Sequence, residues 1–226
     1  MKGDGIYNGA MDNASGVAAV LEVARALQAQ GGAPKRSVLF LLVAGEEKGL
    51  MGSKFFAAHP PVPKEALVAD LNLDMFLPLT PLTHLVAYGA GESTLAAPLE
   101  RLARARGVTV LEDPEPNRMA FVRSDQYSFI RAGVPALAFK FGAAKGSAQE
   151  RVLKRWYRER YHGPADDLAQ PVSKAGAAKF VLLLTEMTRA VADAPERPSW
   201  NEDSFFKRFA GAPGAGAPGV SGGAAH

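Results

Sequence analysis

The 226-residue sequence has no cysteine. Disulfides and thiolate ligands are therefore excluded, and any bound metal must sit on histidine, aspartate or glutamate. Long apolar runs are missing as well. Nothing approaches the roughly 20 residues a membrane span requires, and the opening "MKGDGIYNGA" has no apolar signal-peptide segment. A strong charge of either sign is also absent, with 26 Lys and Arg against 23 Asp and Glu. That small excess is weak ground for a nucleic-acid partner. The densest basic stretch, "RVLKRWYRER" at 151–160, reads as a solvated helix face.

What is present suits one globular domain with a large core, since 47% of the residues are hydrophobic. Residues 15–30 read as an amphipathic helix, with Val17, Val20, Leu21, Ala24 and Leu27 on one stripe and Gly31–Gly32 ending it. The run "SVLFLLVAG" at 37–45 predicts a strand buried on both faces. Residues 66–76, 83–89, 108–113 and 134–142 predict further strands. Helices are expected near 49–59, 93–107, 124–133 and 173–193. Alternation of this kind predicts a three-layer α/β/α sandwich around a mostly parallel mixed sheet. The folded domain is expected over 1–196. A tail follows over 197–226, and its Gly/Ala/Pro-rich part from 211 cannot build a core and reads as disordered.

The polar stretches fall at strand ends, where open α/β sheets bind ligands. Glu46 and Glu47 follow the apolar run. Alone they could be an acidic helix start, favoured by the helix dipole. Asp74 lies in "NLDMF", where an interior carboxylate needs a partner, although a turn cap would also explain it. His162 sits in "YHGPADD", and the Asp166–Asp167 pair there could simply cap the final helix. In "NGAMDNASG", one of Asp12, Asn13 and Ser15 can cap the helix that follows, which leaves the others unexplained. Taken together, three carboxylates and a histidine suit a divalent ion such as zinc, or a two-metal centre, and a spare glutamate could act as general base.

The segments "NGAMDNASGVA", "GEEKGLMGS", "NLDM" and "YHGPADD", in this order, resemble the co-catalytic di-zinc aminopeptidases. That family includes glutamate carboxypeptidase, glutaminyl cyclase and the catalytically inert transferrin receptor. "SDQYSFIRAGVPALAF" matches a further family segment. The resemblance implies a zinc exopeptidase fold acting on peptide substrates. It implies that Asp12 bridges two Zn²⁺ ions and that the Asp12–Asn13 peptide is cis. Glu47 and His162 would bind one zinc and Asp74 the other. Glu46 would be the general base, and Asn13 and Asp125 would support the ligands from behind.

The sequence departs from the family in two places. The family takes one more histidine ligand from an "HxD" motif upstream of the bridging aspartate, and no histidine precedes Asp12. His59, His84 and His226 are wrongly placed to replace it. An N-terminally incomplete catalytic domain is therefore expected, with export suspected from the resemblance and the oligomeric state left open. Gln126 also stands where many relatives carry histidine, and Asp125 could equally be a helix cap. A non-catalytic binding domain and a single-zinc cyclotransferase remain as competing readings.

Overall fold

The computed structural model describes residues 5–211. Four strands, β1 (Asp70–Asn72), β2 (His84–Tyr88), β3 (Thr109–Leu111) and β4 (Ala136–Gly142), form one sheet in the order β1-β4-β2-β3. β1 runs parallel to β4, and β2 parallel to β3, while β2 and β4 are antiparallel. Six helices accompany them: α1 (Ser15–Ala29), α2 (Met51–Ala58), α3 (Ala96–Ala105), α4 (Gln126–Arg131), α5 (Ala148–Glu159) and α6 (Lys174–Asp193). None of the described helices is long and apolar enough to cross a membrane.

The two-residue period of β4 divides the core. Leu137, Phe139 and Phe141 join Val23 of α1, Leu99 of α3 and Phe180 of α6 in the main cluster. Phe76 stacks on Phe180, with centroids 4.6 Å apart and planes 11° apart. Ala136 turns to the opposite face and packs with Ile130 of α4 and Trp200. Helices therefore cover both faces of a mixed sheet, as the alternation predicts. The basic stretch at 151–160 forms most of α5 and buries only Leu153 and Trp156, which is the solvated face expected of it.

Several expectations need correction. Residues 37–44 run without helix, turn or bend, so they are extended, yet they belong to no ladder. Leu39 and Leu42 are more than half exposed. The apolar pattern there suits a buried strand, but no neighbouring strand lies beside it among the described residues. β1 keeps only three of the residues 66–76. Lys64–Ala66 form a 3₁₀ turn before it, and Met75 and Leu77 at φ 42° and 57° bend the chain after it. On α1 the buried positions are Gly16, Ala19 and Val23, whereas Val17 and Leu21 are exposed. Residues 197–210 are packed on the fold rather than trailing from it. Trp200 is buried, bridges to Ser93 and stacks near Phe206. The predicted disorder from 211 onward, and His226, lie outside the described residues apart from Gly211.

Candidate metal centre

The centre is assembled around Asp12, which sits in one wide turn, Ala10–Ala14, just before α1. The Asp12–Asn13 peptide is cis. Gly9 enters the turn at φ +61°, and a Cβ there would lie 2.6 Å from the Asp12 carbonyl oxygen. Asn13 points away from the cleft and joins two loops. Its Nδ2 donates to the Leu73 carbonyl at 2.8 Å, and its Oδ1 accepts from the amides of Gly16 and Met75, both at 3.0 Å. The turn carrying Asp12 is thereby tied to the loop carrying Asp74.

Asp166 holds the same turn from the far end of the chain. Its Oδ1 accepts from the Met11 amide at 2.8 Å and its Oδ2 from the Asp12 amide at 2.9 Å. Gln170 Nε2 donates to Oδ1 at 2.7 Å, and Asp166 is buried. The reading of Asp166 as a cap for the final helix is thus wrong. Ser173 caps α6 instead, accepting from the Gly176 amide.

Glu46 and Glu47 lie in a 3₁₀ turn, Glu46–Lys48, at the end of the unpaired extended run. Gly45 and Gly49 flank it at φ +74° and +93°, and α2 starts only at Met51, so neither glutamate begins that helix. His162, at φ 52°, stacks on Tyr161 with ring centroids 3.8 Å apart. Its Nε2 lies 2.7 Å from Glu47 Oε1 and 3.2 Å from Asp12 Oδ2.

One ligand atom from each of Asp12, Glu47 and His162 thus falls within 4.8 Å of the other two. Ligands around a tetrahedral zinc stand about 3.3 Å apart, given bonds of about 2.0–2.2 Å to nitrogen and oxygen. The three groups fit one such ion. Asp74 lines the same cleft but stands outside that trio, where its Oδ2 accepts from Ser124 Oγ at 2.8 Å. The ring nitrogens of His59 and His84 hydrogen-bond close in sequence, to the Phe55 carbonyl and to Thr83 Oγ1.

The cleft has a volume of about 350 Å³ and is walled by Tyr88, Tyr157, Tyr161 and Lys140 besides the acidic groups. Burial, then Asp74 and Glu47, push the Glu46 carboxyl up to about 7. Burial, Asp74 and Glu47 raise Asp12 to about 6, with His162 and Lys140 pulling the other way. Burial lowers the Lys140 ammonium against the pull of Asp74 and Asp12. Such mutual repulsion among carboxylates favours a cation between them.

Asp125 stands at the start of α4 without making a side-chain cap. Its Oδ1 is buried without a hydrogen-bond partner, and burial pushes the carboxyl up. Gln126 is structural. It accepts from Asn72 Nδ2 at 2.7 Å and donates to the Phe121 carbonyl at 2.9 Å. The sequence reading missed two contributors, Asp166 as the clamp and Ser124 as the partner of Asp74. The adjacent acid in "YHGPADD" was the one available signal for Asp166.

The sequence is 30% identical to leupeptin-inactivating enzyme 1 of Streptomyces exfoliatus, over 73% of this chain and 38% of that protein. A shorter match, 43% identical over 30% of this chain and 15% of the relative, is to a probable zinc metalloprotease of Pyrenophora tritici-repentis. Two crystal structures of the Legionella pneumophila LapA, described in one case as an aminopeptidase, share the fold. Their TM-scores are 0.64 and 0.66 at 21% identity, covering 86% and 85% of this chain and 50% and 51% of theirs. The chain thus spans about half or less of the length of these relatives. The model for peptidase family M28 matches residues 2–188, and the chain belongs to that family.

Proposed function

We propose that this chain carries the catalytic centre of a zinc exopeptidase that removes N-terminal residues from peptides. The observation that supports this most is the meeting of Asp12, Glu47 and His162, from three distant segments, beside a half-buried Glu46 in one cleft. Asp12, Glu47 and His162 would hold the zinc, and Asp74 with Asp12 would hold a second ion. Zinc bound there supplies Lewis acidity, which acidifies water and polarises a carbonyl. Glu46 takes the proton of the attacking water at its carboxylate and passes it to the leaving amine nitrogen. The free α-amine of a substrate would sit near the acidic cluster, which favours cleavage of the first residue. Asn13 and Asp166 hold Asp12 in place during turnover.

Hydrolysis of leucyl and alanyl anilides by the zinc-loaded protein tests the reading, with metal counted on the same sample. Turnover that a chelator stops and zinc restores is expected. A protein that binds no zinc, or that keeps its activity in Glu46→Gln, rejects it. Because Asp74 stands apart from the trio, one zinc per chain with conversion of N-terminal glutamine to pyroglutamate would favour a cyclotransferase instead.

A further inference from the structure

One wall of the cleft is built of hydrogen-bond donors rather than acceptors. Its base is β4. Leu137, Phe139 and Phe141 join the main core, so the two-residue period turns Ala138 and Lys140 the other way, toward the cleft. Ala138 pairs with Tyr88 of antiparallel β2, which puts Tyr88 diagonally beside Lys140 on the same face. The methyl group of Ala138 is too small to fill the space between them. Tyr157 of α5 comes to the same place, and among the ionisable groups around it the Tyr88 hydroxyl acts on it most. Arg118 stands at the exposed rim, where its Nη1 donates to Glu115 Oε2 at 3.1 Å. Asp113 lines the rim as well, and its Oδ1 accepts from the Glu115 amide at 2.8 Å. The rim charges thus oppose one another, whereas the base carries Lys140 alone.

Three donors at this base lack an acceptor. Among the described residues, neither the Tyr88 nor the Tyr157 hydroxyl makes a hydrogen bond, and the Lys140 ammonium makes neither a hydrogen bond nor an ion pair. Burial pushes both hydroxyls above their ordinary value, so they keep their protons and remain donors. A charge held away from water is normally matched by a partner. Asp74 and Asp12 pull on Lys140 more than any other group, yet both are ligands in the proposed centre. The matching anion therefore arrives with the substrate. We propose that Lys140, Tyr88 and Tyr157 receive a carboxylate on the side chain of the substrate's first residue, so that glutamate and aspartate are removed from peptide N-termini in preference to neutral residues. This inference rests on the exopeptidase reading and names its substrate class. Asp74 decides which residue of the substrate is read. It belongs to the acidic cluster where the free α-amine would sit, and it is the carboxylate that acts most on Lys140. The residue that places its amine there has the side chain nearest Lys140.

Binding of two small amides in the presence of zinc tests it. Glutamic acid α-amide and glutaminamide differ only in a side-chain carboxylate or carboxamide. Calorimetry should show the first binding at least about tenfold more tightly, as charge-assisted hydrogen bonds provide. Lys140→Met should bring the ratio to about one, and Lys140→Glu should turn the preference toward lysinamide over norleucinamide. Tyr157→Phe, which removes one donor and keeps the ring, should lower the ratio by about 2–10-fold. Three results overturn the proposal. One is equal affinity for the two amides. Another is a preference that survives Lys140→Met, which would put the carboxylate on the metal. The third is a preference for leucyl-glycine over leucyl-glycinamide with none for glutamic acid α-amide, which would make the C-terminus of a dipeptide the anion. The two readings fail separately. Turnover of leucyl anilide with no preference for the glutamic acid amide rejects only this one, and the preference in binding without any turnover rejects only the exopeptidase.

Discussion

At the scale of single residues, the proposed chemistry rests on Glu46 and its supports on Asp166. Glu46→Gln keeps the shape of the side chain and removes its basicity. It should lower kcat by about 10²–10⁴-fold while zinc binding is retained, as turnover and metal content together will read. Asp166→Asn leaves one of two backbone amides without its charged acceptor. It should weaken zinc binding by about 10–100-fold, read by titration against a chelator of known affinity. The contrast between the two residues explains what the sequence displays. Asp12, Glu47 and His162 stand out because carboxylate and imidazole are the groups a metal requires. Asp166 does not, because its partners are the amides of Met11 and Asp12, and every residue but proline has an amide. Only the folded chain, which brings positions 155 and 154 residues apart together, identifies them.

At the scale of elements, α1 meets the site through a close approach that only glycine permits. A Cβ on Gly16 would lie 2.3 Å from Asn13 Oδ1 and 2.6 Å from the Leu73 carbonyl oxygen. Gly16→Ala should therefore displace Asn13, cost about 1–3 kcal/mol in urea unfolding and reduce activity, despite alanine's better helix propensity. The helices were legible because each carries its own hydrogen bonds and a 3.6-residue pattern. The strands were legible only in part. "SVLFLLVAG" has the composition of a buried strand, but whether it is buried depends on a neighbour that local pattern cannot name. β1 is shorter than its apolar run because pairing stops where Met75 turns the chain. Trp200 was overlooked for a related reason. One aromatic residue in a proline-rich stretch has no periodicity, yet it anchors 197–210 against Ala136 and Ile130.

At the scale of the molecule, stability should depend on pH through a buried acid that the catalytic reading does not use. Burial, with Asp125 adding to it, raises the Asp70 carboxyl from 3.8 to about 7. Between those values the folded protein keeps a proton that the unfolded chain has lost. The contribution of this group is therefore most favourable below about pH 4 and declines as pH rises to 7. Asp70→Asn should flatten that decline and raise stability above pH 7 by up to about 4 kcal/mol, measured by urea unfolding at pH 5 and pH 8. Zinc should stabilise the whole fold as well, by about 2.7 kcal/mol at a hundred times its Kd, visible as a rise in Tm that a chelator reverses.

The short stretch from Tyr161 to Asp166 has a double duty, since His162 reaches toward Glu47 and Asp166 secures the turn beneath Asp12. One excursion of that stretch away from the body of the protein would detach one proposed ligand and loosen the anchor of another in the same instant. Under the proposed ligand set, escape of the ion should be gated by a local opening rather than by the strength of any one bond. Its dissociation rate should track the exchange of the Met11 and Asp12 amides as temperature or denaturant is varied.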